Sequence, residues 1–326
     1  MKILISGGNG QLAYDCKNIL SKKYEVISLS SMKMNIANPE EVERNLTDFM
    51  PDIVLNCAAY TKVDACETEK ELAKKVNVDG PRNLAQVVEK LKSALVHIST
   101  DYVFNGQKNP PQGYVETDKP DPISYYGKTK LEGELEIQRA TNRYAIIRTA
   151  WLYSIHGHNF LKTMLKLSLN NPQKDIKRRG AATKRSCRSG ELTKKTCSKN
   201  KLLQSNSIRV VNDQFGSITW SYRLALQIEK IIDAKGRGIY HATAEGYSSW
   251  FEAAKYFLKK INIPHRLIPC STEEYPTPAC RPKNSILGNR RLKKEGINVM
   301  VHWKNDIDLF VSKFHDRLIK EATEAR

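Results

Sequence analysis

Two tyrosines followed by two lysines stand in the stretch SYYGKTKLEGE, residues 124–134. Tyr126 and Lys130 are four residues apart and share one face of a helix, whereas Tyr125 reaches only Lys128, three residues on and on another face. A lysine ammonium close to a phenol favours the phenolate and lowers a tyrosine pKa that is about 10 in isolation. The spacing therefore predicts that Tyr126 exchanges a proton with a substrate oxygen.

A tyrosine and a lysine at this spacing on a solvent-exposed helix usually have no catalytic role, so the functional interpretation needs a second feature. The buried strand pattern ALVHIST supplies it, because it ends at Ser99, Thr100 and Asp101. Parallel sheets place their chemistry at the carboxyl ends of strands. We therefore expect Thr100 and Tyr126 to lie close together.

A glycine loop, GGNGQLA, begins at Gly7 and follows the strand pattern of residues 2–6. Its form G-x-x-G-x-x-A, opening a helix, suits a pyrophosphate held by backbone amides and a helix N-terminus. After the second strand pattern, YEVISLS, no acidic residue is present to accept hydrogen bonds from an adenosine ribose. Ser30, Ser31 and Lys33 suit a 2′-phosphate instead, so both NADPH and NADH are predicted cofactors, with NADP slightly preferred.

Strand and helix patterns alternate through the first 150 residues. Helices of ten or more residues between strands imply parallel pairing with right-handed crossovers. The predicted fold class is therefore α/β, a doubly wound parallel (Rossmann) sheet with a smaller substrate-binding domain after it. We predict a cofactor domain at 1–150, a substrate domain at 151–300 and a terminal helix at 301–326.

The formal net charge of +18 is unevenly distributed. Residues 173–208 hold eleven Lys and Arg against two acids, a net of +9, with no helical or strand periodicity. This composition predicts a solvated, disordered insert rather than a nucleic-acid arm, because no aromatic residue is interleaved for base stacking. Nucleic acid is therefore not an expected partner.

The remaining composition bears on location and metals. No apolar run approaches the roughly 18 residues of a spanning helix, and the N-terminus lacks a signal-peptide pattern. Seven scattered cysteines and seven histidines show no metal-ligand spacing. We expect a cytoplasmic protein with reduced cysteines, without membrane insertion and without a bound metal.

Eight blocks in order carry a resemblance to a known family: GGNGQL, DIVLNCAAYTKVDACE, STDYVFNG, YYGKTKLEGE, RTAWLY, VVNDQFGS, GIYHATAEG and RPKNSILGNRRL. They resemble the dTDP-4-dehydrorhamnose reductases of the extended short-chain dehydrogenase/reductase superfamily. The resemblance implies transfer of a hydride from NAD(P)H to the C4 ketone of dTDP-4-dehydro-L-rhamnose. The product, dTDP-L-rhamnose, would supply a surface polysaccharide of the cell wall, capsule or spore coat.

The resemblance also implies residue roles. Tyr126 would be the proton donor, Thr100 its hydroxyl partner and Lys130 the helper that lowers the phenol pKa and bonds the nicotinamide ribose. The implied cofactor-binding residues, besides Tyr126 and Lys130, are Gly7, Gly10, Gln11 and Leu12 at the pyrophosphate, Asn35 and Ile36 at the adenine, and Ala59, Tyr60 and Thr61 at the middle of the dinucleotide. The implied substrate-binding residues are Thr100, Asp101, Trp151 and Arg281, the last facing the sugar diphosphate.

Departures from the family pattern keep alternatives open. Asn35 stands where the family often has an acid, and residues 178–209 form an insertion in the substrate half. A non-catalytic regulatory or binding relative is one alternative, and a nucleotide-sugar epimerase or dehydratase, which recycles its cofactor, is another. Assembly as a homodimer also stays open.

Overall fold

The computed structural model describes residues 1–170 and 207–324. Most of the predicted basic insert therefore lies outside the described residues. Ile208 and Arg209 begin a strand that pairs with residues 267–270, and the bounds of the insert stay a prediction.

The described part of the chain alternates strands and helices, as the sequence patterns predict. Its strands are β1 (Lys2–Ser6), β2 (Glu25–Leu29), β3 (Ile53–Asn56), β4 (Ala94–Thr100), β5 (Tyr144–Thr149), β6 (Leu152–Tyr153), β7 (Ile208–Val211), β8 (Phe215–Gly216), β9 (Thr219–Trp220), β10 (Gly238–His241), β11 (Ser248–Ser249) and β12 (Leu267–Cys270). Its α-helices are α1 (Gln11–Leu20), α2 (Pro39–Phe49), α3 (Lys70–Lys74), α4 (Gly80–Leu91), α5 (Tyr125–Ala140), α6 (Phe160–Asn170), α7 (Ser221–Asp233), α8 (Trp250–Lys260), α9 (Arg290–Lys294) and α10 (Trp303–Glu324).

Six strands form one sheet in the order β2-β1-β3-β4-β5-β10, and every neighbouring pair is parallel. Ile3, Leu4 and Ile5 of β1 are fully buried because helices cover both faces. Ile3 and Ile5 pack in a core with α1 and α7, while Leu4 packs in a second core with α2 and α4. The predicted doubly wound α/β fold is confirmed.

The chain leaves the sheet after β5 and later returns to it. β6 pairs with β9, β8 with β11 and β7 with β12, and these short pairs carry α6, α8 and α10 around a separate apolar core. Helix α7 packs on α1, and β10 adds the last strand beside β5. The predicted domain boundary at residue 150 stays a prediction. Residues 221–241 follow that boundary in the chain but pack with the central sheet and its helices.

The predicted helical stretch after β3 is helical but interrupted. A 3₁₀ turn at Ala65–Glu67 and α3 lead into a π-helical turn at Lys75–Asp79, and α4 then begins at Gly80 with Pro81 in its first turn. Proline has no N–H to continue the preceding hydrogen-bond ladder, which favours a change of helix type at this point. No helix in the two described ranges is long and apolar enough to cross a bilayer.

Candidate active site

A cavity of about 780 Å³ opens at the carboxyl ends of the central strands. The loops after β1, β2, β3, β4 and β5 line it, together with one face of α5 and the start of α8. Predicted site residues along its walls are Gly7, Gly10, Gln11, Leu12, Asn35, Ile36, Ala59, Tyr60, Thr61, Thr100, Asp101, Tyr126, Lys130 and Trp151. The fold therefore brings residues from six separate segments to one cavity.

The glycine loop forms one end of the cavity. Gly7 has a φ of +74°, and a Cβ there would lie 2.7 Å from the Ala58 backbone nitrogen, so a side chain fits neither the conformation nor the space. Gly10 is the N-cap of α1, and among the described residues no side chain caps this helix or places an acid in its first turn. The first N–H groups of α1 are thus available to an anion in the cavity.

The adjoining wall carries Ser31, Met34, Asn35 and Ile36. The Asn35 backbone N–H donates to the Glu41 carboxylate at 2.8 Å, so α2 supplies an acid on the adenine side of the predicted site. Of the three residues predicted to suit a 2′-phosphate, the structure places Ser31 on the cavity wall.

The Asn77 side chain holds the backbone at Tyr60 in place on the cavity wall. Its Oδ1 accepts from the Tyr60 N–H at 2.8 Å, and its Nδ2 donates to the Tyr60 carbonyl and to Thr129 Oγ1, each at 3.1 Å. Asn77 lies in the π-helical turn, and the Gly133 backbone of α5 packs directly against its carbonyl. Sequence reasoning missed Asn77, although a π-helical turn often marks a functional site.

Tyr126 is placed by the first turn of α5. The Ser124 hydroxyl caps this helix by accepting from the Gly127 N–H at 3.1 Å. Gly127 packs directly on the Tyr102 carbonyl, where a Cβ has no room, and this brings α5 against the end of β4. Tyr126 is 8% exposed and Thr100 6%, so both residues are screened from bulk water.

The Tyr126 pKa corrects one expectation. Burial raises the pKa of this phenol above its ordinary value, and the Thr100 side chain acts in the opposite direction. Lys130 was expected to lower it, but its Nζ instead donates to the Ile98 carbonyl at 2.7 Å and lies 3.2 Å from His97 Nε2. Burial also lowers the pKa of Lys130 to about 8. The phenol is therefore neutral at physiological pH, the form that a proton donor requires.

Asp101 carries a buried carboxyl group at the same strand end. Burial raises its pKa to about 6. Its Oδ1 accepts from Thr100 Oγ1 at 2.9 Å, whereas Oδ2 has no hydrogen-bond partner within the described part of the chain. A buried acceptor of this kind suits a ligand hydroxyl.

Stacked indoles form the other end of the cavity. Trp151 and Trp250 lie with ring centres 3.5 Å apart and planes 6° from parallel, and Phe160 packs on Trp250 at 4.6 Å. Trp151 has a φ of +49°, which is rare for a bulky residue, and Gly216 leaves room for its ring. Trp250 was missed by sequence reasoning because it stands 99 positions further along the chain, with no spacing that links the two.

Arg281 is the one predicted site residue that the structure places outside the cavity wall. Its guanidinium bonds the Asp64 carboxylate at 2.8 and 3.0 Å and also contacts Thr277. The arginine in turn holds the pKa of Asp64 below its ordinary value. This pair ties the segment of residues 277–284 to the loop after β3.

Comparison with known proteins identifies relatives over most of the chain. The model of the RmlD substrate binding domain family matches residues 1–178 and 190–315. The spore coat polysaccharide biosynthesis protein SpsK of Bacillus subtilis is 36% identical over 304 residues, covering 93% of this chain and 94% of that protein. A dTDP-4-dehydrorhamnose reductase of Burkholderia thailandensis is 32% identical over 328 residues, covering 95% and 98%.

A solved structure gives the same result. The dTDP-4-dehydrorhamnose reductase of Bacillus anthracis in complex with NADP has a TM-score of 0.82 and 34% identity to this chain. The match covers 96% of this chain and 99% of that one.

Proposed function

The chain belongs to the RmlD substrate binding domain family, and on this premise we propose that it reduces dTDP-4-dehydro-L-rhamnose at C4 with NAD(P)H. One observation carries the proposal. Thr100, Tyr126 and Lys130 lie in a single cavity that has a glycine-loop anion site at one end and stacked indoles at the other. The product, dTDP-L-rhamnose, would supply a surface polysaccharide, in keeping with the name of the spore coat relative.

The cofactor end fits a nicotinamide dinucleotide. The uncapped N-terminus of α1 and the close approach at Gly7 suit a diphosphate, and the buried Gln11 Oε1 has no partner in residues 1–170 and 207–324. When bound, the reduced nicotinamide supplies the hydride. We propose the residues inferred from the sequence as its ligands, with Asn77 holding the backbone at Tyr60.

NADP is the proposed preferred form. Ser31 lies on the cavity wall at the predicted adenine side, and Lys33 is the cation nearest to Ser31 in the sequence. The carboxyl end of β2 carries no acidic residue. A 2′-phosphate would meet hydroxyl and ammonium donors there, whereas the Glu41 carboxylate already accepts from the Asn35 N–H. The NADP complex of the Bacillus anthracis relative is consistent with this choice.

Tyr126 performs the proton transfer in this proposal. Negative charge grows on the carbonyl oxygen as the C4 carbon is reduced, and a neutral phenol can deliver a proton to it. Thr100 adds a hydrogen bond to the same oxygen, and the Lys130 ammonium is proposed to bond the nicotinamide ribose. The result is an alcohol at C4 and a phenolate that regains its proton from solvent.

The sugar end supplies recognition. The Trp151 and Trp250 rings offer an apolar surface to the 6-deoxy face of the sugar, and we propose that the Asp101 carboxyl group accepts a sugar hydroxyl. Arg281 stays a predicted diphosphate ligand, and that role would require it to leave Asp64.

The proposal includes a cytoplasmic location. The described cysteines, Cys16, Cys57, Cys66, Cys270 and Cys280, are free thiols, which suits a reducing compartment. Assembly as a homodimer stays a prediction.

A net-consumption assay tests the function. With authentic dTDP-4-dehydro-L-rhamnose we expect one NADPH oxidised for each dTDP-L-rhamnose formed. Tyr126→Phe should lower kcat at least about 100-fold while NADPH still binds, because only the transferred proton is removed. Tyr125→Phe is the matched control, since Tyr125 packs under the Lys70 ammonium, 5.5 Å from its ring centre.

Three results would contradict the proposal. Conversion of a nucleotide-sugar without net NADPH oxidation would identify an epimerase or a dehydratase. Cofactor binding without any turnover would identify a non-catalytic relative. Full turnover in the Tyr126→Phe variant would remove Tyr126 from the reaction.

A further inference from the structure

A chain of buried polar side chains crosses the sheet beneath the proposed active site. Ser6 Oγ donates to Asn56 Oδ1 at 2.7 Å, Asn56 Nδ2 lies 2.9 Å from His97 Nδ1, and His97 Nε2 lies 3.2 Å from Lys130 Nζ. Ser6, Asn56 and His97 are fully buried and Lys130 is 1% exposed. They occupy the neighbouring strands β1, β3 and β4 and the adjacent helix α5, so the chain ends at the lysine of the site.

The direction of these hydrogen bonds is fixed by a backbone group. The Ala58 N–H can only donate, and it donates to Asn56 Oδ1 at 3.0 Å. The amide NH₂ of Asn56 must therefore face His97, where it donates to Nδ1. Because Nδ1 accepts, the proton of a neutral His97 ring resides on Nε2, the nitrogen that faces Lys130.

His97 stays neutral in this position. Burial lowers the pKa of the ring well below its ordinary value, and a charged Lys130 would lower it further. An Nε2–H next to Nζ needs a lone pair on the lysine, and an ammonium has none. A neutral Lys130 amine satisfies both neighbours, since it accepts from His97 and donates to the Ile98 carbonyl at 2.7 Å.

We propose that His97 is a positioning residue whose Nε2–H, at alkaline pH, holds Lys130 as a retracted, neutral amine until the cofactor binds. The inference rests on the proposed function, because it concerns the lysine of that cofactor site. Ribose hydroxyls and diphosphate charge favour an ammonium, which has three donors and a positive charge. Lys130 Nζ then takes one proton from solvent as the cofactor binds.

The other groups around Lys130 do not supply that proton. Glu134, one turn further along α5, is bonded to Arg148 at 2.7 and 3.0 Å and also to Ser99. Cys57, which follows β3, and Glu134 both favour the charged lysine, while burial favours the neutral one and lowers the Lys130 pKa to about 8. The Tyr126 phenol has a pKa raised by burial and keeps its proton.

The tautomer of His97 can be tested on the cofactor-free chain. In ¹⁵N-histidine NMR spectra, with the His97 signals assigned by their loss in His97→Gln, we expect an unprotonated Nδ1 and a protonated Nε2. A protonated Nδ1 or an imidazolium would overturn the inference. This measurement requires no cofactor, so it holds whether or not the proposed function does.

Calorimetry tests the proton uptake. NADPH is titrated in buffers of different ionisation enthalpy, at a pH one unit above the Lys130 pKa. Under these conditions we expect wild type to take up close to one proton per bound cofactor (about 0.9). Asn56→Asp should take up nearly none, because a carboxylate only accepts and therefore moves the His97 proton to Nδ1. Nε2 would then accept from an ammonium that is already present.

Ser6→Ala is the matched control. It removes a hydrogen bond from the same chain without reversing the bond at His97, so its proton uptake should equal that of wild type. Cofactor binding without proton uptake in wild type, or equal uptake in Asn56→Asp, would overturn the inference and leave the reductase assignment intact. Failure of wild type to bind NADPH and NADH would instead overturn the proposed function, and the NMR result would still decide the tautomer.

Discussion

The two ends of the cavity are built in different ways. At the glycine-loop end the main contributors are backbone groups, namely the first turn of α1 and the strand ends beside Gly7 and Tyr60. At the indole end the contributors are side chains, above all Trp151 and Trp250, which come from segments 99 positions apart. Tyr126 lines the same cavity.

This difference indicates what each end can tolerate. Backbone recognition depends on the local conformation, so a single added methyl group can remove it. Side-chain recognition depends on aromatic area, which can be reduced in steps. Changes at one end should therefore alter cofactor binding alone, and changes at the other sugar binding alone.

Gly7→Ala should have the largest effect. The new Cβ would meet the backbone of Ala58 at 2.7 Å and would also occupy a φ of +74°, so we expect NADPH affinity to fall about 100-fold or more, or about 3 kcal/mol. Isothermal titration measures this loss.

The control for that change is Gly296→Ala. Gly296 has a similar φ of +69°, but a Cβ there meets nothing within 4 Å in the described structure. The Gly296→Ala variant should be destabilised only by the strain of an alanine at positive φ. It should keep the cofactor affinity of wild type. Equal affinities in both variants would show that close approach at Gly7 is unimportant.

Trp250→Ala should act on the opposite end. Loss of the stacked ring should raise the KM for the sugar nucleotide about tenfold while the Kd for NADPH stays unchanged, because the ring packs on Trp151 at 3.5 Å. Steady-state kinetics and titration measure the two constants, and Trp250→Phe should recover most of the affinity. A change in the NADPH Kd of similar size would break the separation between the ends.

Asp101 makes the stability of the fold depend on pH. The folded protein retains the Asp101 proton up to about pH 6, whereas an unfolded chain releases it near the ordinary value of 3.8, so ionisation destabilises the fold as pH rises across that window. Relative to wild type, Asp101→Asn should therefore gain a few degrees of Tm between about pH 4 and pH 7. Thermal unfolding at several pH values measures this gain, and a pH-independent difference would argue against a buried, titrating carboxyl group.

Lys33→Ala should have the smallest effect. An exposed lysine near a 2′-phosphate contributes about 0.5–1 kcal/mol, so NADPH affinity should fall about two- to fivefold while NADH affinity is retained. Titration with both cofactors measures the ratio. Equal losses for the two would remove Lys33 from the choice of cofactor.

The same contrast explains what the sequence could predict. The strands, the glycine loop and the i, i+4 pair at Tyr126 follow local patterns, and the structure places Gly7, Thr100 and Tyr126 in one cavity as those patterns indicate. Trp250 could not be predicted, because its position depends on how distant segments pack.

Two features of the polar interior were also outside local patterns. The Lys130 side chain was expected to face the phenol, but its hydrogen bonds to Ile98 and His97 depend on which side chains β4 buries. Asn77 holds the loop at Tyr60 from a π-helical turn that periodicity reads as continuous helix.

Transfer of a labelled hydride tests the central claim most directly, that both ends of one cavity act in one reduction. Wild-type protein is incubated with dTDP-4-dehydro-L-rhamnose and NADPH carrying deuterium on one or the other C4 face. We predict that one of the two labelled cofactors places a single deuterium on C4 of dTDP-L-rhamnose with equal net NADPH oxidation, and that Tyr126→Phe slows this transfer at least about 100-fold. Product without label, or label returned to the cofactor without net oxidation, would contradict the account.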